Sequence, residues 1–211
     1  MEHELWVLLG PDYAGKSTIM SQLAERADLG WGYASYDDRF LGEGDQLVRR
    51  LRDDVSQHLA ELVGRCSTDF ALTLVQSAVV FLRDRALRLR ADGPVLVDSY
   101  YYKFLAKCRL AGLVNEAFFD SWRAFPRPDR VLYLDVPPAV AWRRSGHGTR
   151  VNSWETRSGG VCRSRFEQFQ RQLRDRLLAE TAGVRTTVLD GDTDREAAVV
   201  AVEKLLRSCH A

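Results

Sequence analysis

The sequence has almost no net charge and no long apolar run. Its 30 lysines and arginines against 29 aspartates and glutamates leave a formal charge of +1, so no overall field selects DNA, RNA or an anionic membrane as the main partner. Any electrostatic function must be local. No stretch reaches the roughly 20 apolar residues that a membrane-spanning helix needs, and Met1-Glu2-His3-Glu4 is acidic where a secretory leader would be basic. A cytoplasmic protein with no nucleic-acid and no membrane partner is therefore expected. Cysteine is sparse: Cys66, Cys108, Cys162 and Cys209 show neither C-x-x-C pairing nor a zinc-like spacing to histidine. They are expected to be reduced thiols, mostly packed in the interior. There is no repeat, low-complexity tract or linker. What remains is 211 residues, 45% hydrophobic and 28% charged, enough for a sizeable core in one domain spanning 1–211.

What is present is concentrated first in residues 5–18. An apolar run, Leu5-Trp6-Val7-Leu8-Leu9, feeds into Gly10-Pro11-Asp12-Tyr13-Ala14-Gly15-Lys16-Ser17-Thr18. This is the pattern G-x-x-x-x-G-K-[ST], and its required context, a buried strand before and a helix after, is legible on both sides. Gly10 and Gly15 let the backbone bend round an anion without Cβ obstruction, so that successive N–H groups and the helix N-terminus point at phosphates. Gly10, Tyr13, Ala14, Gly15, Lys16, Ser17 and Thr18 are the expected nucleotide-binding set, with Lys16 reaching the β/γ-phosphates and the Ser17 hydroxyl placed to hold Mg²⁺.

Further along, Tyr33 to Tyr36 alternates weakly as a short strand and ends in Asp37-Asp38-Arg39. Ligands gather outside the carboxyl ends of parallel strands, so Arg39 is a candidate to grip an acceptor anion; the alternative is a surface pair with the adjacent aspartates. Helical spacing of apolar residues predicts one helix from Gln46 and a second from about Phe70 to Arg90, within which Gln76 and Ser77 either face water or point into a pocket. Val95-Leu96-Val97-Asp98 reads as a buried strand delivering a carboxylate beside the phosphate loop, where Asp98 would order Mg²⁺; the other reading is a helix cap opening Ser99 to Ala111. Val131 to Val136 is the next strand, and Pro137-Pro138 opens a helix through Arg143 and Arg144. From Arg143 to Arg165 there are six arginines and a single acid, Glu155, and Ser145 to Gly160 holds four glycines without periodicity. Beside a phosphate loop this reads as a mobile lid, about 143–160, that closes over transferring phosphates. A long helix from about Val161, a strand near Val184 to Leu189 and a closing helix complete five strands alternating with helices, an α/β layered sandwich with a mainly parallel sheet.

Taken together these segments resemble the thymidylate kinase family of P-loop nucleoside monophosphate kinases over nearly the whole chain. The resemblance rests on the phosphate loop including Asp12, on Gly93-Pro-Val-Leu-Val-Asp98-Ser99-Tyr100 at the family's Asp-Arg-Tyr/His motif, on Pro128 to Pro138, on Arg143-Arg144 and on Phe166-Glu167. It implies a three-layer α/β/α P-loop NTPase fold with parallel strands in the order 2-3-1-4-5, ATP and Mg²⁺ as the donor complex, and a homodimer. It also implies catalytic roles for Asp12, Lys16 and Asp98, and acceptor contacts near Gln76 and Tyr100. Some members carry an arginine inside the phosphate loop; Tyr13 stands there, so the lid is expected to supply it from Arg143, Arg144, Arg150 or Arg157. On the acceptor side the chain departs: Ser99 replaces Arg, Lys103 replaces Ser, Lys107 replaces Tyr, and the ring-holding Phe and Arg fall near Thr73/Leu74 and Ser77/Ala78 without a match.

The expected activity is thus transfer of the γ-phosphoryl of Mg·ATP to a nucleoside monophosphate or nucleotide-like molecule, with Arg39, Lys103 and Lys107 on the acceptor. The alternatives are a kinase for a nucleoside or other small-molecule hydroxyl, a regulatory P-loop ATPase, and a nucleic-acid-binding module built on the arginines of 143–165.

Overall fold

A computed structural model describes residues 2–155 and 160–208. Five strands, β1 (Leu5–Leu9), β2 (Gly32–Ala34), β3 (Val95–Asp98), β4 (Arg130–Asp135) and β5 (Thr186–Asp190), form one sheet in the order β2-β3-β1-β4-β5 with every pair parallel. The expected order 2-3-1-4-5 is the observed one. Helices α1 (Lys16–Ala24), α2 (Gln46–Leu62), α3 (Thr68–Arg90), α4 (Tyr100–Leu110), α5 (Glu116–Arg123), α6 (Pro138–Arg144), α7 (Arg163–Glu180) and α8 (Arg195–Arg207) cover both faces.

Side chains alternate across a strand, and β1 shows what this does. Leu5, Val7 and Leu9 join an apolar cluster with α3, α4, α5 and α7, while Trp6 and Leu8 join a second with α1, α6 and α8. Burial on both faces is why the inner strands read as continuous apolar runs. It also stacks the carboxyl ends of β1, β3 and β4 side by side: Leu8 is in register with Asp98, and Leu9 with Tyr133.

Several local expectations shift. β2 is shorter than Tyr33 to Tyr36, ending before Ser35, whose hydroxyl turns back to the Asp98 carboxylate. Asp98 does not cap α4; Ser99 occupies that position in a left-handed conformation with no capping side-chain bond. Asp135 closes β4 in a two-pronged pair with Arg174 of α7, both contacts at 2.7 Å. Of the cysteines, Cys108 is buried, whereas Cys66 and Cys162 are exposed rather than packed; Cys209 lies outside the described residues. The arginine-rich segment contains a short 3₁₀ turn, Ser153–Glu155, and Arg157 lies outside the described residues.

The junction of β1 with the phosphate loop is sterically fixed. Gly10 has φ 155°, and a Cβ there would lie 2.7 Å from the carbonyl oxygen of Leu134 on the neighbouring strand. Gly10→Ala must move that backbone, which should cost about 1–3 kcal/mol in a urea unfolding titration. A variant as stable as the wild type would show that the β1–β4 junction yields freely.

Candidate functional site

The phosphate loop leaves β1 at Gly10 and enters α1 at Lys16. Tyr13 and Gly15 both have positive φ, 59° and 92°, which folds the loop back on itself and aims the first turn of α1 into a cavity of about 760 Å³. The walls are Tyr13 to Ile19, Asp37 and Arg39 after β2, Asp98 at the end of β3, Lys103 from α4, Leu134, the arginines 143, 144 and 150, and the turn between β5 and α8. Lys16 is buried and its ammonium donates to the carbonyls of Gly10 and Pro11 at 3.1 and 3.0 Å. Burial, and next the positive charge of Lys103 beside it, push its pKa down to about 7, against the opposing pull of Asp98 and Asp12.

Oxygen donors collect on one side. The Asp98 carboxylate accepts from Ser35 Oγ at 3.1 Å and from Ser99 Oγ at 2.7 Å. Asp37 accepts from the guanidinium of Arg39 at 2.8 and 3.2 Å; this pairing, with a smaller contribution from the nearby Ser17 hydroxyl, outweighs its partial burial and holds its pKa below the usual carboxylate value. Ser17, Asp37 and Asp98 all line the cavity, and hydroxyl and carboxylate oxygens are the ligands that suit Mg²⁺. Arg39 is thus paired with its neighbouring aspartate, as the alternative reading has it, and it also reaches Thr18 Oγ1 at 3.3 Å and lines the cavity.

The arginines that spacing could not separate are separated by their partners. Arg144 donates to the carbonyls of Ala14, Gly191 and Thr193 at 3.4, 3.0 and 3.4 Å, tying the phosphate loop to the β5–α8 turn. Arg150 donates to the Arg144 carbonyl. Arg143 is exposed and lines the cavity, and its guanidinium has no polar partner among the described residues.

On the acceptor side the structure revises the reading. Lys103 and Lys107 are not a solvated helix face: one turn apart on α4, they reach the same oxygen of Asp12 at 2.7 and 2.9 Å. Lys103 also lines the cavity; Lys107 does not, and so is not placed to touch an acceptor. Asp12 is itself buried away from the cavity wall, its backbone N–H donating to Gln170 Oε1 of α7 at 3.0 Å. Burial pushes the Asp12 pKa up, but the two lysines prevail and hold it far below the usual carboxylate range. The same pairing lifts Lys103 to about 12 against the effect of burial. Tyr100 packs in the core among Tyr101, Tyr102 and Phe125 with its hydroxyl on the Pro126 carbonyl, because Ser99 and Tyr100 both have positive φ and the turn rotates the ring inward. Gln76 is half-buried on α3 and lies off the cavity. Sequence reasoning missed Asp37, Ser35, Gln170 and Glu155; the first was visible in the charged triplet after β2, the last as the single acid among the arginines.

No protein-family model matches the chain. Curated relatives do: a thymidylate kinase of Akkermansia muciniphila is 30% identical over 172 residues, 77% of each chain, and one of Xylella fastidiosa strain 9a5c is 31% identical over 201 residues, 85% of this chain and 84% of the relative. A thymidylate kinase of Caenorhabditis elegans is 29% identical over 68% of both. Among solved structures, deoxyadenosine kinase from M. mycoides with bound dATP superposes with a TM-score of 0.57 at 15% identity, covering 97% of this chain and 100% of that one. At that identity the likeness speaks for the fold.

The lysine contacts predict a titration. In the ligand-free protein, NMR of isotope-labelled lysine side chains should show Lys16 losing its proton near pH 7. Lys103→Met removes the adjacent positive charge and leaves Asp12 less neutralised, and both changes favour the ammonium, so the midpoint must rise. An unchanged or lower midpoint would show that Lys103 does not act on Lys16.

Proposed function

The chain belongs to the thymidylate kinase family of P-loop phosphotransferases, and we propose that within it the protein transfers the γ-phosphoryl of Mg·ATP to a nucleoside monophosphate or nucleotide-like acceptor other than dTMP. The observation that supports this reading is the charge lining one cavity. Lys16, Lys103, Arg39 and Arg143 face it together with the oxygens of Ser17, Asp37 and Asp98, a set matched to a polyphosphate, a divalent cation and a second anion. Ser17 and Asp98 would hold the Mg²⁺, with Asp37 beside them; when bound, the ion neutralises charge on the β- and γ-phosphates. The chain's own work is positioning and electrostatic stabilisation. Lys16 exchanges two backbone carbonyls for phosphate oxygens, and the anion restores its full charge. Arg144 holds the phosphate loop against the β5–α8 turn. Arg143, whose guanidinium has no partner among the described residues, is the lid arginine that meets the transferring group. The cytoplasmic setting and the homodimer implied by the resemblance belong to this reading; among the described residues no helix is long and apolar enough to cross a membrane.

γ-Labelled ATP offered with a panel of nucleotides, nucleosides and sugar phosphates tests the assignment. Label in a nucleotide acceptor supports it, label in a free nucleoside or sugar points to hydroxyl phosphorylation elsewhere, and label only in inorganic phosphate leaves an ATPase.

A transition-state arginine acts on kcat. Arg143→Ala should lower kcat by about 10³-fold with little change in KM for ATP, since the lost contact forms as charge develops. Arg144→Ala should instead raise KM for ATP, because its three carbonyl contacts shape the loop. Steady-state kinetics that gave the two variants the same profile would reject this division.

The acceptor-side residues predict specificity. Ser99 stands where the family has an arginine, removing a bidentate phosphate grip. Lys107 is occupied with Asp12, and Asp12 is in turn unavailable to a substrate hydroxyl. Lys103 and Arg39 line the cavity and are the cations left to meet the acceptor in this reading. A pocket without partners for a substrate's polar groups discriminates against it by up to about 10⁴-fold, so dTMP should have a lower kcat/KM than at least one of dUMP, dCMP, dGMP or a sugar phosphate. A kcat/KM for dTMP above every alternative would overturn the proposal of an altered acceptor.

A further inference from the structure

Glu155 is the single acid among the arginines of 143–165, and it is buried, only 6% exposed. Its carboxylate accepts from the Tyr13 hydroxyl at 2.9 Å, from the Lys107 ammonium at 3.4 Å and from the side-chain amide of Asn152 at 3.3 Å. The Tyr13 hydroxyl is shared: it also lies 2.6 Å from the carbonyl oxygen of Arg150. Two points of the arginine segment, the backbone at 150 and the side chain at 155, are therefore fastened to one residue of the phosphate loop. That residue is itself fixed. Tyr13 has φ 59°, and its ring packs 5.9 Å from Phe166 of α7, which in turn packs 5.4 Å from Trp142 of α6. Beside Glu155, Trp154 packs against the larger apolar cluster, with the Lys107 ammonium 5.8 Å above its ring.

The three residues that meet are two of the positions at which this chain departs from the family pattern, Tyr13 and Lys107, and the one acid that its arginine segment contains. A carboxylate taken out of water is tolerated only when it is paired and hydrogen-bonded. Of those partners Asn152 moves with the segment, whereas Tyr13 and Lys107 are in reach only while the segment lies on the phosphate loop. Lifting the segment would leave Tyr13 without its acceptor and Lys107 with Asp12 alone.

Resting on the phosphotransferase reading above, we propose that Glu155 is a positioning residue: through Tyr13 and Lys107 it latches the arginine segment onto the phosphate loop and so sets the Arg150 guanidinium at the cavity wall. It touches no phosphate itself. Tyr13 thereby takes a different part from a phosphate-loop arginine, supplying an anchor for a cation carried by another segment.

The test is a set of variants read in two ways. Tyr13→Phe removes one oxygen and keeps the ring packing, so it remains informative if Glu155→Ala folds poorly. Both should lower kcat by about tenfold, the equivalent of one lost charge-assisted hydrogen bond, with KM for ATP changed by less than about twofold. Glu155→Gln, which still accepts from Tyr13, should recover most of the loss. If Glu155 acts through Arg150, Glu155→Ala should have no further effect on kcat in an Arg150→Ala background. Amide hydrogen exchange of the ligand-free protein gives the second reading, independent of any substrate: Glu155→Ala and Tyr13→Phe should speed exchange at residues 149–155. Unchanged exchange, unchanged kcat in an active enzyme, a loss seen in KM alone, or a full additional loss on top of Arg150→Ala would each overturn the latch. Wild-type protein that transfers no label to a nucleotide while the variants still speed exchange would refute the phosphotransferase reading and leave the latch standing.

Discussion

The site depends on one buried carboxylate. Asp12 sits in the phosphate loop with a single oxygen shared by Lys103 and Lys107, and its backbone N–H is held by Gln170. The loop is thereby strung between α4 and α7 as well as between β1 and α1. Removing one partner of a buried pair costs about 3–5 kcal/mol because the remaining charge is stranded, so this attachment is not easily given up. Its consequences reach Lys16: Lys103, drawn toward Asp12, lies close enough to disfavour a second ammonium, and burial acts in the same direction. The lysine of the phosphate loop thus has a pKa lowered to about 7, with two backbone carbonyls as its partners.

The formal charge of +1 conceals an uneven distribution. Among the residues that line the cavity, Lys16, Lys103, Arg39, Arg143, Arg144, Arg150 and Arg195 stand against Asp37, Asp98 and Asp194. A concave surface with low-dielectric walls focuses such an excess. The field that composition could not supply for the whole molecule is supplied locally, at the carboxyl ends of the parallel strands.

What was legible in the sequence follows from this architecture. β1, β3 and β4 are buried on both faces, so their apolar runs are continuous, and the carboxylate of Asp98 appears at the end of its run. Gly10 and Gly15 announce the loop because its backbone needs conformations that other residues avoid. The acceptor side was much less legible. The i, i+4 spacing of Lys103 and Lys107 shows that they share a face of α4, but not that the face meets Asp12, which is remote in sequence. Tyr100 has a family position that points toward a substrate, yet the left-handed pair Ser99 and Tyr100 turns its ring into the core, and no propensity of serine or tyrosine signals that conformation. Gln76 illustrates the remaining ambiguity of a polar residue on an amphipathic helix: periodicity gives the face and leaves open what lies opposite.

The arginines show why a charge count is a poor guide to a phosphate site. A guanidinium has five donors in a fixed fork, and a donor already engaged by a carbonyl must give up that bond before it can serve a phosphate. Arg144 is engaged on three backbone carbonyls that belong to two different loops, so moving it would disturb the cavity it lines. Arg150 has one engaged donor and a backbone carbonyl held by Tyr13, which fixes where its guanidinium can go while leaving most of its donors available. Arg143 makes no such contacts among the described residues and keeps its full set. Three arginines within eight positions of one another therefore differ in kind: one ties two loops together, one is carried by the latched segment, and one lines the cavity with no side-chain partner among the described residues.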